Sequence, residues 1–357
     1  MRRFLAAVAL ACVLAATGIT GQQVPVFTPF GALPVLDAYL ESLRQQADIP
    51  GMSVALVREG VVIWEKGYGF QNTAARIRAT PDTPYLVGDL SGTLAAAMIL
   101  ACVEQRHLYL DDPIRKYGAE LPEADVTIRD LLSHTTPGAE EPFAYSPERY
   151  ERLTAVMEKC ESRSYRKSVA QLLDSNAMRD SVPGTDLWHS DTVLREGEFE
   201  GEDVDRYRQV LERMAVPYKV DSRGRAERTE LPPMTMSASG GLVSTVRDLA
   251  RLDAALDSTG FLRQETLDMA WNPVITPRGF VSPMGLGWFV QSHRGERVVW
   301  HFGLIAGGYS SLMVKLPERK LTLILLANSD RLSAPFQLPS GNLTRSLFAT
   351  LFLRLVT

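Results

Sequence analysis

LVGDLSGTLAAAMIL, residues 86–100, is the stretch whose reading decides the fold. Gly88, Asp89, Leu90, Ser91 and Gly92 read as a helix entry, and the run behind them is almost unbroken apolar. A helix that is apolar all round has no face for water, so it must be buried on every side. Burying it takes a large core. The chain has 357 residues, 45% apolar and 22% charged, which suffices for such a core and sets a prior of about two domains.

Working outward from that helix, Leu36, Tyr39, Leu40, Leu43 and Ala47 recur at helical spacing until Pro50-Gly51 stops them. MSVALVREGVVIWEKGYG (52–69) holds two β-rich runs split by Glu59-Gly60, which predicts a hairpin. From residue 126 to about 239 short helical patterns alternate with charged loops. One begins at Ser146-Pro147 and sets Tyr150, Leu153, Met157 and Cys160 on one face; another runs from about Tyr165 to Ala177. The stretch 195–231 is charged and weakly periodic and reads as exposed loop. Strand signals return in GLGWFVQSH (285–293), RVVWHF (297–302), GYSSLMVKL (308–316) and KLTLILLANS (320–329), before a helical stretch from about Leu343 to Leu355. The predicted class is α+β. One antiparallel sheet is built from both chain ends and flanked by helices, with residues 30–125 and 240–357 in the sheet domain and a mainly helical domain, 126–239, inserted.

The first 21 residues read as a secretory signal: Arg2 and Arg3, then an apolar stretch, then small residues. The apolar run is shorter than the roughly 20 residues a membrane span needs. Cys12 after Ala9-Leu10-Ala11 is a poor lipid-attachment site because the apolar run continues past it. The expectation is a secreted, periplasmic or envelope protein with no transmembrane span after cleavage. Without the signal, 36 basic side chains face 42 acidic ones, a balance that argues against nucleic-acid partners. Cys102 and Cys160 read as small core residues or as one disulfide, and the sequence does not choose. No His/Cys spacing suits zinc, so neither a metal nor a cofactor is expected.

Several ordered stretches carry a resemblance: IPGMSVALVREGVVIWEKGYG, TPYLVG, LYLDDPI, TIRDLLSHTTPG, FAYSPERY, SASGGLVSTVRDLARL, GLGW, HFG and LMVKLPERKLTLILLANSD. With them the chain resembles the serine β-lactamase and penicillin-binding-protein superfamily from about residue 33 to 330. Its class C β-lactamase and esterase/D-aminopeptidase branch is the nearest in pattern. The resemblance implies chemistry in three places. Ser-x-x-Lys at the start of the central helix supplies an acylated serine and a lysine one turn later, on the same helix face. Tyr-x-Asn supplies a tyrosine base and an amide for substrate. Lys-Thr-Gly, or His-x-Gly in the esterase-like branch, lines the cleft from a strand.

Set on that pattern, Asp89 stands where the serine belongs and Gly92 where the lysine belongs. Tyr145 is kept, but Pro147 replaces the asparagine. His301 and Gly303 keep the His-x-Gly form. Asp89 reads as a helix N-cap, worth about 1 kcal/mol over alanine, rather than as a carboxylate nucleophile. Ser91, two residues on, is turned by about 200° and has Leu94 instead of a lysine three residues later. Pro147 suits the first turn of a helix capped by Ser146. Tyr145 and His301 read either as surviving cleft residues or as packed structural ones. Ser133-His134 are adjacent, cannot face one another on a helix, and receive no catalytic role. Thr245 to Asp248 reads as a helix start.

Three functions compete. The favoured one is a secreted, catalytically impaired pseudoenzyme that keeps a ligand cleft for peptidoglycan-derived or D-amino-acid peptides or ester-type small molecules. The alternative is an active acyl hydrolase (esterase, D-peptidase or β-lactamase) with a rebuilt site using Tyr145 and His301. The third is an envelope interaction module with no small ligand.

Overall fold

The predicted hairpin is present as β1, Gly51–Arg58, and β2, Val61–Asn72, in antiparallel register from Gly51–Gly69 to Arg58–Val61. The computed structural model describes residues 29–123, 125–189, 198–258 and 260–357. The expected signal segment, 1–21, lies outside them. Among the described residues, one seven-stranded antiparallel sheet runs in the order β3 (Ile77–Arg78), β2, β1, β12 (Leu321–Ala327), β11 (Tyr309–Leu316), β10 (Glu296–Ile305) and β9 (Phe289–His293). Both chain ends build it, as the α+β reading expects. Two small sheets lie apart: β4 (Tyr85–Leu86), β8 (Leu242–Ser244) and β5 (Val182–Pro183), and the hairpin β6 (Tyr218–Val220) with β7 (Ala226–Arg228).

The centre of the sheet is buried on both faces, which is why β1 and β12 read as continuous apolar runs. The two-residue side-chain period sorts them. Met52, Val54 and Leu56 oppose Ala327, Leu325 and Leu323. They join Leu36 and Leu40 of helix α1 (Pro29–Gln46) and Phe348, Phe352 and Leu353 of the C-terminal helix Leu347–Val356. Ala55, Val57, Ile324 and Leu326 face the other way. They pack with helix α2 (Ser91–Glu104) and with Leu249, Leu252 and Leu256 of the Val246–Asp257 helix. Each fully buried leucine contributes about 1.5–3 kcal/mol. This layer holds a buried ion pair: Lys315 of β11 is 1% exposed and bonds Asp253 and, at 2.9 Å, Asp257 of the Val246–Asp257 helix.

Helix α2 is buried from Ser91 to Leu100 and again at Cys102, as its composition demands. After it come α3 (Ile128–Leu132), α4 (Pro147–Tyr150), α5 (Leu153–Glu161) and α6 (Tyr165–Ser175). Cys102 and Cys160 form a disulfide that ties α2 to α5. The reading of 195–231 as exposed loop is corrected. Gly201–Glu212 is a helix burying Val204, Tyr207 and Val210, and residues 218–228 hold the β6–β7 hairpin. Its apolar residues recur only every third position among many charges, so the helical stripe is narrow. No helix among the described residues is long and apolar enough to cross a membrane.

Candidate functional site

The motif-equivalent residues come from three separate segments, and the fold brings them together. Asp89, Gly92, Tyr145, Pro147 and His301 line one cavity, joined by His134, Tyr150 and Ser239. Gly303 lies two residues along β10 from His301, where the strand meets the turn that carries Asp89. A Cβ on Gly303 would stand 1.9 Å from the Val87 carbonyl oxygen, and one on Gly88 would stand 2.8 Å from the Leu304 nitrogen. Gly88 also has φ +61°, a conformation that favours glycine. Two glycines thus let the 88–90 turn press against the strand.

Asp89 is not the helix cap expected from the sequence. An N-cap needs an extended backbone. Here Gly88–Leu90 form a 3-10 turn that runs straight into α2; Leu90 holds the capping position in helical conformation and no side chain caps it. Asp89 sits inside the turn and its carboxyl accepts the backbone N–H of Leu304. Part of the residue touches solvent, yet protein packs closely around the carboxyl. Burial raises its pKa to about 7, with the Leu304 N–H pulling the other way. Ser91 is fully buried and donates to the Gly88 carbonyl at 2.8 Å.

Nothing basic replaces the lysine. At Gly92 the aromatic ring of Tyr150 takes the space: a Cβ there would lie 3.3 Å from Tyr150 Cε1. The Tyr150 hydroxyl donates to the Gly92 carbonyl at 2.9 Å. Ser146 caps α4 by accepting the Arg149 N–H at 3.2 Å, and Pro147 takes the first helical position.

The two histidines carry opposite tautomers, each fixed by the backbone. His301 Nδ1 lies 2.7 Å from the Phe302 carbonyl oxygen, which can only accept, so Nδ1 holds the proton and Nε2 keeps a lone pair. His134 Nδ1 accepts the Ser146 N–H at 3.0 Å, so Nε2 is its donor. Burial lowers His301 to about 4 and His134 to about 3, the latter helped by the charges of His301 and Arg149; both are neutral at pH 7. Tyr145 stacks on His134 with centroids 4.4 Å apart and lies 6.1 Å from His301. Burial first, and the Asp89 charge second, hold its phenol well above the ordinary value. Ser133 bonds instead to the Arg129 carbonyl at 2.8 Å.

The cavity itself amounts to about 10 Å³. That is room for one water, whereas small-molecule pockets span about 300–1,000 Å³. Among the described residues, the space between the motif-equivalent side chains is therefore far smaller than the expected open ligand cleft. Larger clefts of about 570 and 580 Å³ lie beside Trp64 and Arg247 and beside Trp188 and Tyr309; neither is lined by a motif-equivalent residue. The cavity offers a neutral imidazole base and a carboxyl poised near neutrality; Ser91 at the head of the helix is not among its lining residues and spends its hydroxyl on the Gly88 carbonyl. Sequence reasoning missed Tyr150, Ser239 and the cavity role of His134, all brought in by packing. Among the described residues, the group of closely spaced metal-ligating side chains is Cys102, Cys160 and Glu161, at the far end of α2.

The Beta-lactamase family model matches residues 36–340. Unguisins hydrolase ungD' of Aspergillus campestris is 24% identical over 345 residues, covering 83% of this chain and 62% of its own. Protein flp of Staphylococcus aureus is 28% identical over 107 residues, 28% of this chain and 22% of its own. This chain thus spans less than two thirds of either relative. The octameric penicillin-binding protein homologue from Pyrococcus abyssi superposes with a TM-score of 0.71 at 23% identity, over 90% of this chain and 77% of that one. The class C beta lactamase from Rhodobacter sphaeroides does so at 0.66 and 16%, over 90% and 99%. At such identities the structural likeness speaks for the fold alone, while the family model spans most of the sequence: the chain belongs to the Beta-lactamase family.

Proposed function

We propose that this protein is a non-acylating member of its family, a pseudoenzyme whose site is closed. The observation that carries the reading is the Asp89 carboxyl, which stands at the nucleophile's position and accepts the Leu304 N–H. A backbone donor aimed at that point would stabilise an oxyanion in an acyl-transfer site; here a carboxyl of the protein already occupies it. A peptide or ester ligand would have to enlarge the cavity before it could bind. Export to the envelope belongs to the same proposal, supported by the leader-like first 21 residues and by the disulfide, since disulfides persist in oxidising compartments.

The test is intact mass after incubation with a penicillin and, separately, an activated ester, beside a family member that acylates. No mass gain is expected. A stable acyl adduct would refute the proposal, and peptide mapping would name the residue. An adduct on Ser239, which lines the cavity with neutral His301, would establish the rebuilt hydrolase. The double variant Asp89→Ser/Gly92→Lys separates missing chemistry from missing space: labelling means that the frame still admits penicillin.

A further inference from the structure

The His134 ring lies between the rings of Tyr145 and Tyr150, at centroid distances of 4.4 and 5.1 Å, and the residue is 4% exposed. Its Nδ1 accepts the Ser146 N–H, and its main-chain carbonyl accepts the Ala144 N–H, both at 3.0 Å. Two bonds to one residue thus hold residues 143–146 as a strap over the cavity, with the Tyr145 side chain on its inner side. The strap is not core: Phe143, Tyr145 and Ser146 are half-buried and Ala144 is exposed. It ends where α4 begins, so it can lift while Tyr150 stays on the Gly92 carbonyl.

A backbone N–H can only donate, so the ring nitrogen that meets it must keep its lone pair. A proton arriving on His134 Nδ1 takes that lone pair, ends the Ser146 bond and sets two N–H groups head to head. His301 differs. Its Nδ1 already holds a proton, and a second one goes to Nε2 with the Phe302 bond intact. The same titration breaks a backbone bond at one histidine and spares it at the other. The groups around His134 do not make up the loss. Arg149 of α4 and His301 of β10 disfavour a cation there. Tyr145 and Tyr150 are neutral phenols. Asp89, on the turn before α2, spends its carboxyl on the Leu304 N–H. We propose that His134 is an acid-released latch: protonation at Nδ1 frees Ser146, the 143–146 strap lifts, and the site opens. The proposal rests on the reading of the site as closed and adds what opens it. In the open form a histidine binds its proton near 6.5, whereas burial holds His134 to about 3 in the closed form. The open form therefore takes the proton first, and opening gains about tenfold for each pH unit below about 6.5.

The test is amide hydrogen exchange of the full chain from pH 7.5 to 4.5, each rate divided by that of an unprotected amide at the same pH. The reference is His134→Asn. Asparagine tolerates the left-handed backbone of this position, φ +52°, and its Oδ1 sits where Nδ1 does along the side chain, able to accept the Ser146 N–H without titrating. Opening at Ala144 and Ser146, as the ratio of parent to variant, should rise roughly hundredfold over that range. The amides of β1 and β12 should keep one ratio throughout. A flat ratio at the strap, or a rise shared by the sheet, overturns the proposal. If the variant does not fold, the parent alone decides, with nitrogen-labelled histidine reporting the His134 ring. Ser146 should lose protection in step with the arrival of the Nδ1 proton. A ring that protonates while Ser146 stays protected, or constant protection down to pH 4.5, overturns the latch equally. Amide exchange and acyl mass are separate observables, so a failed latch leaves the non-acylating reading standing, and an acyl adduct leaves the exchange result standing.

Discussion

Replacing Asp89 by asparagine should stabilise this protein at neutral and alkaline pH, by an amount set by how strongly the fold resists the carboxylate. An aspartate in an unfolded chain ionises at about 3.9; in the fold Asp89 does so at about 7. The group therefore holds its proton more tightly in the folded state, and stability falls as pH rises from about 4 to about 7. Roughly three units at 1.36 kcal/mol each gives about 4 kcal/mol as the upper bound of that loss. The substituted amide would keep a carbonyl for the Leu304 N–H and carry no charge. His134 and His301 pull the other way, because an unfolded histidine gains its proton near 6.5 while these stay neutral to about 3 and about 4. Their contribution is common to both proteins and cancels in the difference. The assay is thermal or urea unfolding of both proteins from pH 4 to 8. The two should coincide near pH 4 and diverge up to pH 7, with Asp89→Asn ahead by about 2–4 kcal/mol or on the order of 5 °C at pH 8. A difference flat across that range, or one favouring aspartate at high pH, would refute the claim that the carboxyl is buried against β10.

Two further outcomes follow from the packing. Lys315→Met should cost about 3–5 kcal/mol in urea unfolding at pH 8, because it leaves Asp253 and Asp257 facing each other without a cation; the loss should shrink as the pH is lowered, because burial raises the Asp253 carboxyl and lets it take up a proton. Gly303→Ala should lower stability by at least about 3 kcal/mol or abolish soluble expression. Gly201→Ala, where a Cβ meets nothing within 4 Å, should leave both unchanged.

The frame was legible because it rests on side-chain type. Unbroken apolar runs at 54–57 and 323–327 announce strands buried on both faces, and an all-apolar 94–100 announces a helix between layers. The degeneracy at 89 and 92 was equally visible, since motif positions are read residue by residue. What was hidden rests on backbone and on packing. The donor facing Asp89 is the Leu304 amide, and a main-chain N–H leaves no mark in a sequence. The capping role assigned to Asp89 failed because a 3-10 turn joins α2 without an extended residue between them, a difference of dihedral angle rather than composition. The closure of the cleft needed Tyr150, His134 and Ser239, three residues from three segments that only the fold assembles.

The pinning of α2 has a mechanical consequence. Near its start, the Gly92 carbonyl is held by the Tyr150 hydroxyl; near its end, Cys102 is bonded to Cys160. Both partners belong to one stretch, residues 147–161, and the two anchor points lie about 15 Å apart along the helix. Two bodies joined at two separated points lose the freedom to hinge about either one, so α2 and the α4–α5 unit move as a single lever arm. Widening of the cavity is then left to the other walls, the 143–146 strap, the Ser239 turn and strand β10. Breaking the sulfur–sulfur bond would turn a bolted joint into a pivot at Tyr150, and motion at one end of the lever would reach Asp89 at the other.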